Sequence, residues 1–133
     1  MKEVFIINAG GFGRTVASLA ESDAAFGVEW TIKGMLDDRE PSTLSRALGY
    51  PLVGSPMTHI YQPGQIIVCA LGDPVQRERF SRHLDAQSAD FMNLTPDLHQ
   101  AQGVTIAGGG IFERNTVIGA DSHLGRFVLM HSF

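Results

Sequence analysis

Residues 106–133 read IAGGGIFERNTVIGADSHLGRFVLMHSF, and in this stretch an apolar residue returns at every sixth position: Ile106, Phe112, Ile118, Leu124 and Met130. Four positions after each of the first four stand Gly110, Thr116, Ser122 and Val128, all small or β-branched, while Gly119 and Gly125 directly follow the third and fourth apolar residues. A helix brings a side chain back to the same face about every 3.6 residues and a strand every 2, so neither explains the spacing. The pattern apolar-Gly-x-x-small-x, cleanest in IGADSH and LGRFVL, instead predicts hexapeptide units of a β-helix. Three such units make one triangular coil, with each apolar residue pointing inward and each small residue easing a corner. The competing expectation is an irregular β-meander. The pattern covers roughly one and a half coils, too few for stacking to sustain a free-standing solenoid. The tail is therefore expected to lean on the preceding residues or on a neighbouring chain, or to fray.

Composition narrows the setting. A chain of 133 residues supports one main domain with a small appendage. With 44% hydrophobic and 18% charged residues and a formal net charge of -4, it has no electrostatic reason to approach nucleic acid or an anionic membrane. The longest apolar runs, VFII and IIVCAL, fall far short of a bilayer span, and Met1-Lys2-Glu3 leads directly into a strand-like run; a cytoplasmic location is expected. The single cysteine, Cys69, lies within IIVCAL and reads as a small buried thiol without a chemical role.

The first half alternates strands and helices. Residues Glu3 to Asn8 form a β-prone run that ends in NAGGFGRTVASLAES, a glycine turn followed by Val16, Leu19 and Ala20 at helical spacing. Glycines at positions 10, 11 and 13 let backbone N–H groups approach a ligand, and the positive end of the helix dipole favours phosphate there. The dinucleotide fingerprint is incomplete, because Val16 stands where a third glycine belongs. Twenty-four residues after Gly13, the run WTIKGMLDD ends in Asp37 and Asp38, near the separation at which an acid meets a ribose hydroxyl; the alternative is a pair of solvated loop acids beside Arg39.

A further unit, GQIIVCALGDPVQRERFSRHLDAQ, has an apolar strand ending at Gly72, Asp73 as helix cap and Pro74 in the first helical position. Arg77, one turn into this helix, is placed either to reach a phosphate from the glycine-loop edge or to decorate the helix surface with Glu78 and Arg79. ADFMNL supplies another short strand, completing an open, mainly parallel sheet up to about residue 97. The segment PSTLSRALGYPLVGSPMTHIYQPG is expected to hold a short helical turn and irregular connections. His59, His83 and His99 have no identifiable carboxylate-and-nucleophile partners, and no metal-ligand spacing occurs.

Taken in order, these motifs give the chain a family resemblance. NAGGFGR is similar to G-A-G-G-H-G-[RK], GMLDD to G-F-L-D-D, CALGDPVQR to A-I-G-D-N-x-x-R, and the tail to the first hexapeptides of the sialic acid O-acetyltransferase-like family, sugar-nucleotide acetyltransferases of the left-handed β-helix class that include bacillosamine and perosamine N-acetyltransferases. Asn8 stands where that family opens the loop with glycine, and Phe12 where it commonly has histidine. The resemblance covers nearly the whole chain and implies an α/β fold. A small Rossmann-like parallel-sheet domain over residues 1–97 would bind a nucleotide-sugar, and the start of a left-handed β-helix would occupy residues 98–133.

By the same resemblance, Ala9, Gly10, Gly11, Phe12 and Gly13, with Asp37, Asp38 and Arg77, would hold a UDP- or GDP-linked amino sugar. Acetyl-CoA would lie between neighbouring β-helices of a homotrimer. The family's general base is a histidine in an H-D pair on the β-helix. His131 falls where the family has Asn, His123 reads as an exposed corner, and the pair is expected a few residues beyond Phe133, so no catalytic residue is assigned and the chain alone is expected to be inactive. Two other functions fit the residues less closely: an NAD(P)-binding Rossmann protein and a non-catalytic nucleotide-binding module.

Overall fold

The computed structural model describes residues 1–40, 49–94, 98–100, 102, 104–106, 108–112 and 116–130. Four strands form a parallel sheet in the order β3-β2-β1-β4: β1 (Lys2–Ile7), β2 (Trp30–Leu36), β3 (Leu52–Gly54) and β4 (Gln65–Cys69). β1 is central, and its last four residues are all buried because helices cover both faces. Val4 and Ile6 meet Val16, Ala17 and Ala20 of α1 (Gly11–Glu21) on one side. Phe5 and Ile7 belong with Phe80 and Leu84 of α2 (Pro74–Asp85) on the other. The period-2 alternation of one strand thus feeds two cores.

β3 is an edge strand within the segment read as irregular. Its residues are half-buried or exposed, so it lacks the apolar run that marks the central strands. Gly34 admits it: a β-carbon there would come 2.7 Å from Val53 Cγ1 and 3.0 Å from the Pro51 carbonyl oxygen. In the same segment, His59 N–H donates to the Ser55 carbonyl at 2.9 Å and closes one turn. Residues 41–48, the remainder of the expected helical turn and connections, lie outside the described residues.

The strand expected at ADFMNL is reduced to two parallel bridges, Ile67 with Phe91 and Leu94 with Ile111. The chain leaves β4 after the first and joins the tail at the second. There the tail forms six short strands in three parallel pairs: β5 (Leu98–Gln100) with β8 (Thr116–Ile118), β6 (Thr105–Ile106) with β9 (His123–Leu124), and β7 (Ile111–Phe112) with β10 (Leu129–Met130). Every pair joins residues eighteen apart: Leu98 with Thr116, Thr105 with His123, Ile111 with Leu129. One coil therefore takes eighteen residues and has three sides, which is the start of a β-helix and rules out the meander.

Corners of the coil fall at Gly109, Asp121 and Phe127, with φ of 85°, 59° and 58°. These lie three positions after Ile106, Ile118 and Leu124, one before the small residues to which the sequence reading gave the corners. Phe127 lies one coil above Gly109 and covers it, so that a β-carbon on Gly109 would come 2.3 Å from the ring. Of the three expected fates of the tail, leaning on the preceding residues is the one seen. Leu94 N–H donates to the Gly110 carbonyl and Phe112 N–H donates to the Leu94 carbonyl, both at 2.9 Å. Phe91 meets Phe127 edge-on at 4.9 Å, and Arg126 forms a two-pronged pair with Asp85 at 2.9 and 3.0 Å. Ile111 joins the α1-side core, and that core runs without interruption from sheet to coil.

Candidate functional site

β1 lies between β2 and β4, and the chain fills the β2 side before returning to β4. The carboxyl ends of β1 and β4 therefore flank the switch point at which open α/β sheets form a crevice. A cleft of about 400 Å³ opens there, lined by the β1–α1 turn, the end of β2 and the β4–α2 loop. Gly10 and Gly11 form one wall, Asp37, Asp38 and Arg39 a second, and Leu71, Gly72, Asp73 and Gln76 a third.

The glycines divide the work. Gly11 begins α1 with nothing within 4 Å of where its β-carbon would lie, so the mouth of the helix is open to a ligand. First-turn amides have no partner inside their own helix, which makes this end suited to anions. Gly13 instead serves packing: it is buried, and a β-carbon would fall 1.6 Å from the Asn8 carbonyl oxygen. Gly10 N–H donates to Asn8 Oδ1 at 2.8 Å, and Phe12 packs against the α1-side core. Ala9 is wholly buried, and its N–H donates to Asp37 Oδ2 at 2.8 Å.

Asp37 is therefore a structural acid. Its carboxylate accepts from Ala9 N–H, from Arg39 N–H at 2.9 Å and from Arg39 Nε and Nη2 at 3.0 and 2.7 Å. Burial pushes the Asp37 pKa up, but the bonds from the Arg39 side chain, the two amides and the guanidinium charge outweigh it and hold the carboxyl below the usual aspartate range. The same bond raises the pKa of Arg39. Asp38 is more exposed and pairs with Arg79 at 3.6 Å. Asp73 accepts from Val75 N–H at 3.0 Å, the helix cap expected from GDP.

Arg77 is not brought to this cleft. Successive helical residues turn by about 100°, so Gln76 lines the cleft while Arg77 faces a separate hollow of about 330 Å³ with Ser81, Asp85 and Arg126. Its Nη1 approaches the Leu71 carbonyl at 3.4 Å, and its own carbonyl accepts from the Ser81 hydroxyl.

Among the cleft residues absent from the expected set, Asn8 and Arg39 make the polar contacts that tie its walls together. Asn8 holds φ of 96°, a conformation that suits glycine, and uses its side chain to donate to the Ala70 carbonyl at 2.9 Å and to accept from Gly10 and Arg39. Arg39 lies over Gly10, where a β-carbon would meet Nη2 at 2.8 Å. The signal for both was present: a non-glycine residue at a glycine position, and a cation directly after an acidic strand end.

His59 and His123 are engaged by neighbouring side chains. His59 Nε2 lies 2.9 Å from Gln65 Oε1 and its ring packs on Phe5, while His123 Nδ1 lies 2.6 Å from Thr105 Oγ1. Among the described residues no group of His, Cys, Asp or Glu is placed to hold a metal, and no helix is long and apolar enough to cross a membrane. Cys69 is buried, which pushes its thiol up to about 12.

The family model of the PglD N-terminal domain matches residues 3–84, well over half of the chain and every wall of the cleft. The chain belongs to the PglD N-terminal domain family. No curated protein sequence matches it. Among solved structures, the acetyltransferase domain of PglB from Neisseria gonorrhoeae FA1090, in complex with acetyl coenzyme A, superposes with a TM-score of 0.82 at 25% identity over 98% of this chain and 62% of that one. PerB from Caulobacter crescentus, in complex with CoA and GDP-perosamine, gives 0.79 at 22% identity over 99% of this chain and 61% of that one. The shared fold is a Rossmann-like domain followed by a β-helix, and this chain spans about three fifths of the length of those proteins.

Proposed function

We propose that this chain is the sugar-nucleotide-binding part of an acetyl-CoA-dependent sugar O- or N-acetyltransferase. One observation carries the reading: the cleft at the switch point has the glycine turn and the open mouth of α1 on one wall, on a chain that continues directly into an eighteen-residue coil. The ligand of the cleft is a nucleotide-linked amino sugar, with UDP or GDP as the nucleotide. Gly11 and its helix end lie against the diphosphate, and Gly10, Phe12, Asp37 and Asp38 shape or border its seat.

Residues 98–133 form the opening of a hexapeptide β-helix. The positive-φ corners at 109, 121 and 127, all separated by multiples of six, support that period. The division at residue 97 is one of function, since the core crosses it. In the whole enzyme, assembled as a cytoplasmic homotrimer, acetyl-CoA binds between β-helices. The sugar amine or hydroxyl attacks the thioester carbonyl carbon, a histidine base takes the proton, and the CoA thiolate leaves. His131, which falls where the family has Asn, lies outside the described residues.

The environment of Asp37 argues against an NAD(P)-dependent oxidoreductase, because its carboxylate is occupied by Ala9 and Arg39 and is not offered to a ribose. Calorimetric titration with UDP- and GDP-linked amino sugars and with NADH tests the choice. Saturable binding of a sugar nucleotide, lost in Gly11→Val, is the expected result. Saturable NADH binding without any response to sugar nucleotides would replace the reading.

A further inference from the structure

We infer that Arg39 recognises phosphate in the cleft, with Asn8 and Asp37 as the residues that position it; the inference rests on the nucleotide-sugar reading above. A guanidinium has five N–H groups. Nε donates to Asp37 Oδ1, and Nη2 donates to both Asp37 Oδ2 and Asn8 Oδ1 at 2.7 and 2.9 Å. The Nη1 donors are the ones assigned to the ligand. The pair is asymmetric in exposure: the Asp37 side chain is 5% exposed and that of Arg39 51%. One edge of the guanidinium is thus fixed in the protein while the side chain as a whole lines the cleft.

Its location suits an anion. The absence of a side chain on Gly10 lets Arg39 rest on the glycine turn, one residue from the open start of α1. A diphosphate seated at that helix end would meet backbone N–H groups from one wall and a pre-oriented fork from the next. Two of the three cleft acids have cationic partners, Asp37 in Arg39 itself and Asp38 in Arg79, while Asp73 keeps its charge and caps α2 on the far wall. Asn8 is held in turn by the Ala70 carbonyl and Gly10 N–H, which tie Arg39 to the tips of β1 and β4.

The test compares wild type, Arg39→Gln, Arg39→Lys and the double variant Asp37→Asn/Arg39→Gln. The double variant removes the buried charge that Arg39→Gln alone would leave unpaired. UDP and GDP are titrated by calorimetry, and uridine and guanosine by ligand-observed NMR. The expected result is that wild type binds one diphosphate and that both glutamine-containing variants bind it about ten- to a hundred-fold more weakly. Arg39→Lys should lie between, since it keeps the charge without the fork, and affinity for the matching nucleoside should stay unchanged throughout. Undiminished diphosphate binding by the folded double variant, or an equal loss for nucleoside and diphosphate, overturns the role of Arg39 and leaves the cleft standing. Failure of wild type to bind either diphosphate overturns the nucleotide reading and this inference with it.

Discussion

The carbonyl oxygen of Asn8 occupies the space in which Gly13 would carry a side chain, 1.6 Å from an ideal β-carbon. The first helix therefore crosses the end of β1 backbone to backbone. Gly13→Ala should cost about 3 kcal/mol or more, because neither contacting group is a side chain that can turn away. Gly11→Ala, with nothing within 4 Å, should stay within about 1 kcal/mol of wild type. Urea unfolding of the two variants measures the difference, and equal stabilities would refute the close crossing.

Asp37 links stability to acidity. Its folded pKa lies below the ordinary 3.8, so its contribution is complete above that value and is lost as pH falls through the lower folded one. Thermal melts between neutral pH and pH of about 2.5 should show wild type losing stability mainly below roughly pH 4. Asp37→Asn, less stable at pH 7, should show a flatter curve through that window. Parallel curves for the two proteins would remove Asp37 as the source.

Gly109 and Phe127 should behave as one unit. Gly109→Ala places a β-carbon 2.3 Å from the Phe127 ring at a φ of 85°, and should cost about 2 kcal/mol or more. In a Phe127→Ala background only the backbone strain remains. The double-mutant cycle should then give a coupling of roughly 1 kcal/mol or more. Hydrogen exchange over residues 105–130 should rise in Gly109→Ala and recover in part in the double variant. Additive effects would mean that the two coils do not stack at this pair.

Cys69 should resist thiol reagents. Burial on the α2-facing side of β4 excludes the reagent and raises the thiol to about 12, so almost no thiolate exists at pH 8. Labelling in native buffer should be slow and should become rapid in urea. Rapid native labelling would place the strand nearer the surface than described.

Much of this architecture is legible in the residues because period and punctuation are local properties. VFII and IIVCAL could be read as strands, GDP as a helix start and the six-residue beat as a coil without knowing what each would touch. β3 escaped because an edge strand needs no apolar run, only a neighbour with room, and that room is supplied by Gly34, eighteen or more residues earlier. The site was legible as a place and less so as a set of contacts. Gly10 and Gly11 face the cleft as their lack of side chains suggests, but Gly13 shares the same chemistry and is used for packing. Asp37 looked like a ligand acceptor, since nothing in the order of residues reveals that the Ala9 amide and Arg39 side chain fold back onto it. Arg77 and Gln76 differ by a single helical step, and only the angle at which α2 docks decides which of them meets the cleft.

Leu94 gives its N–H and its carbonyl to opposite sides of the same loop of tail, at Gly110 and Phe112. A joint made through both groups of one residue, with one core continuous across it, opposes bending between sheet and coil. A molecule gripped at one end of this protein would therefore project at a fixed bearing from the other, like a workpiece clamped on a bench whose jaws and tool rest are cut from a single casting. Under the proposed function, reach and aim would be set when the chain folds, not each time a ligand arrives.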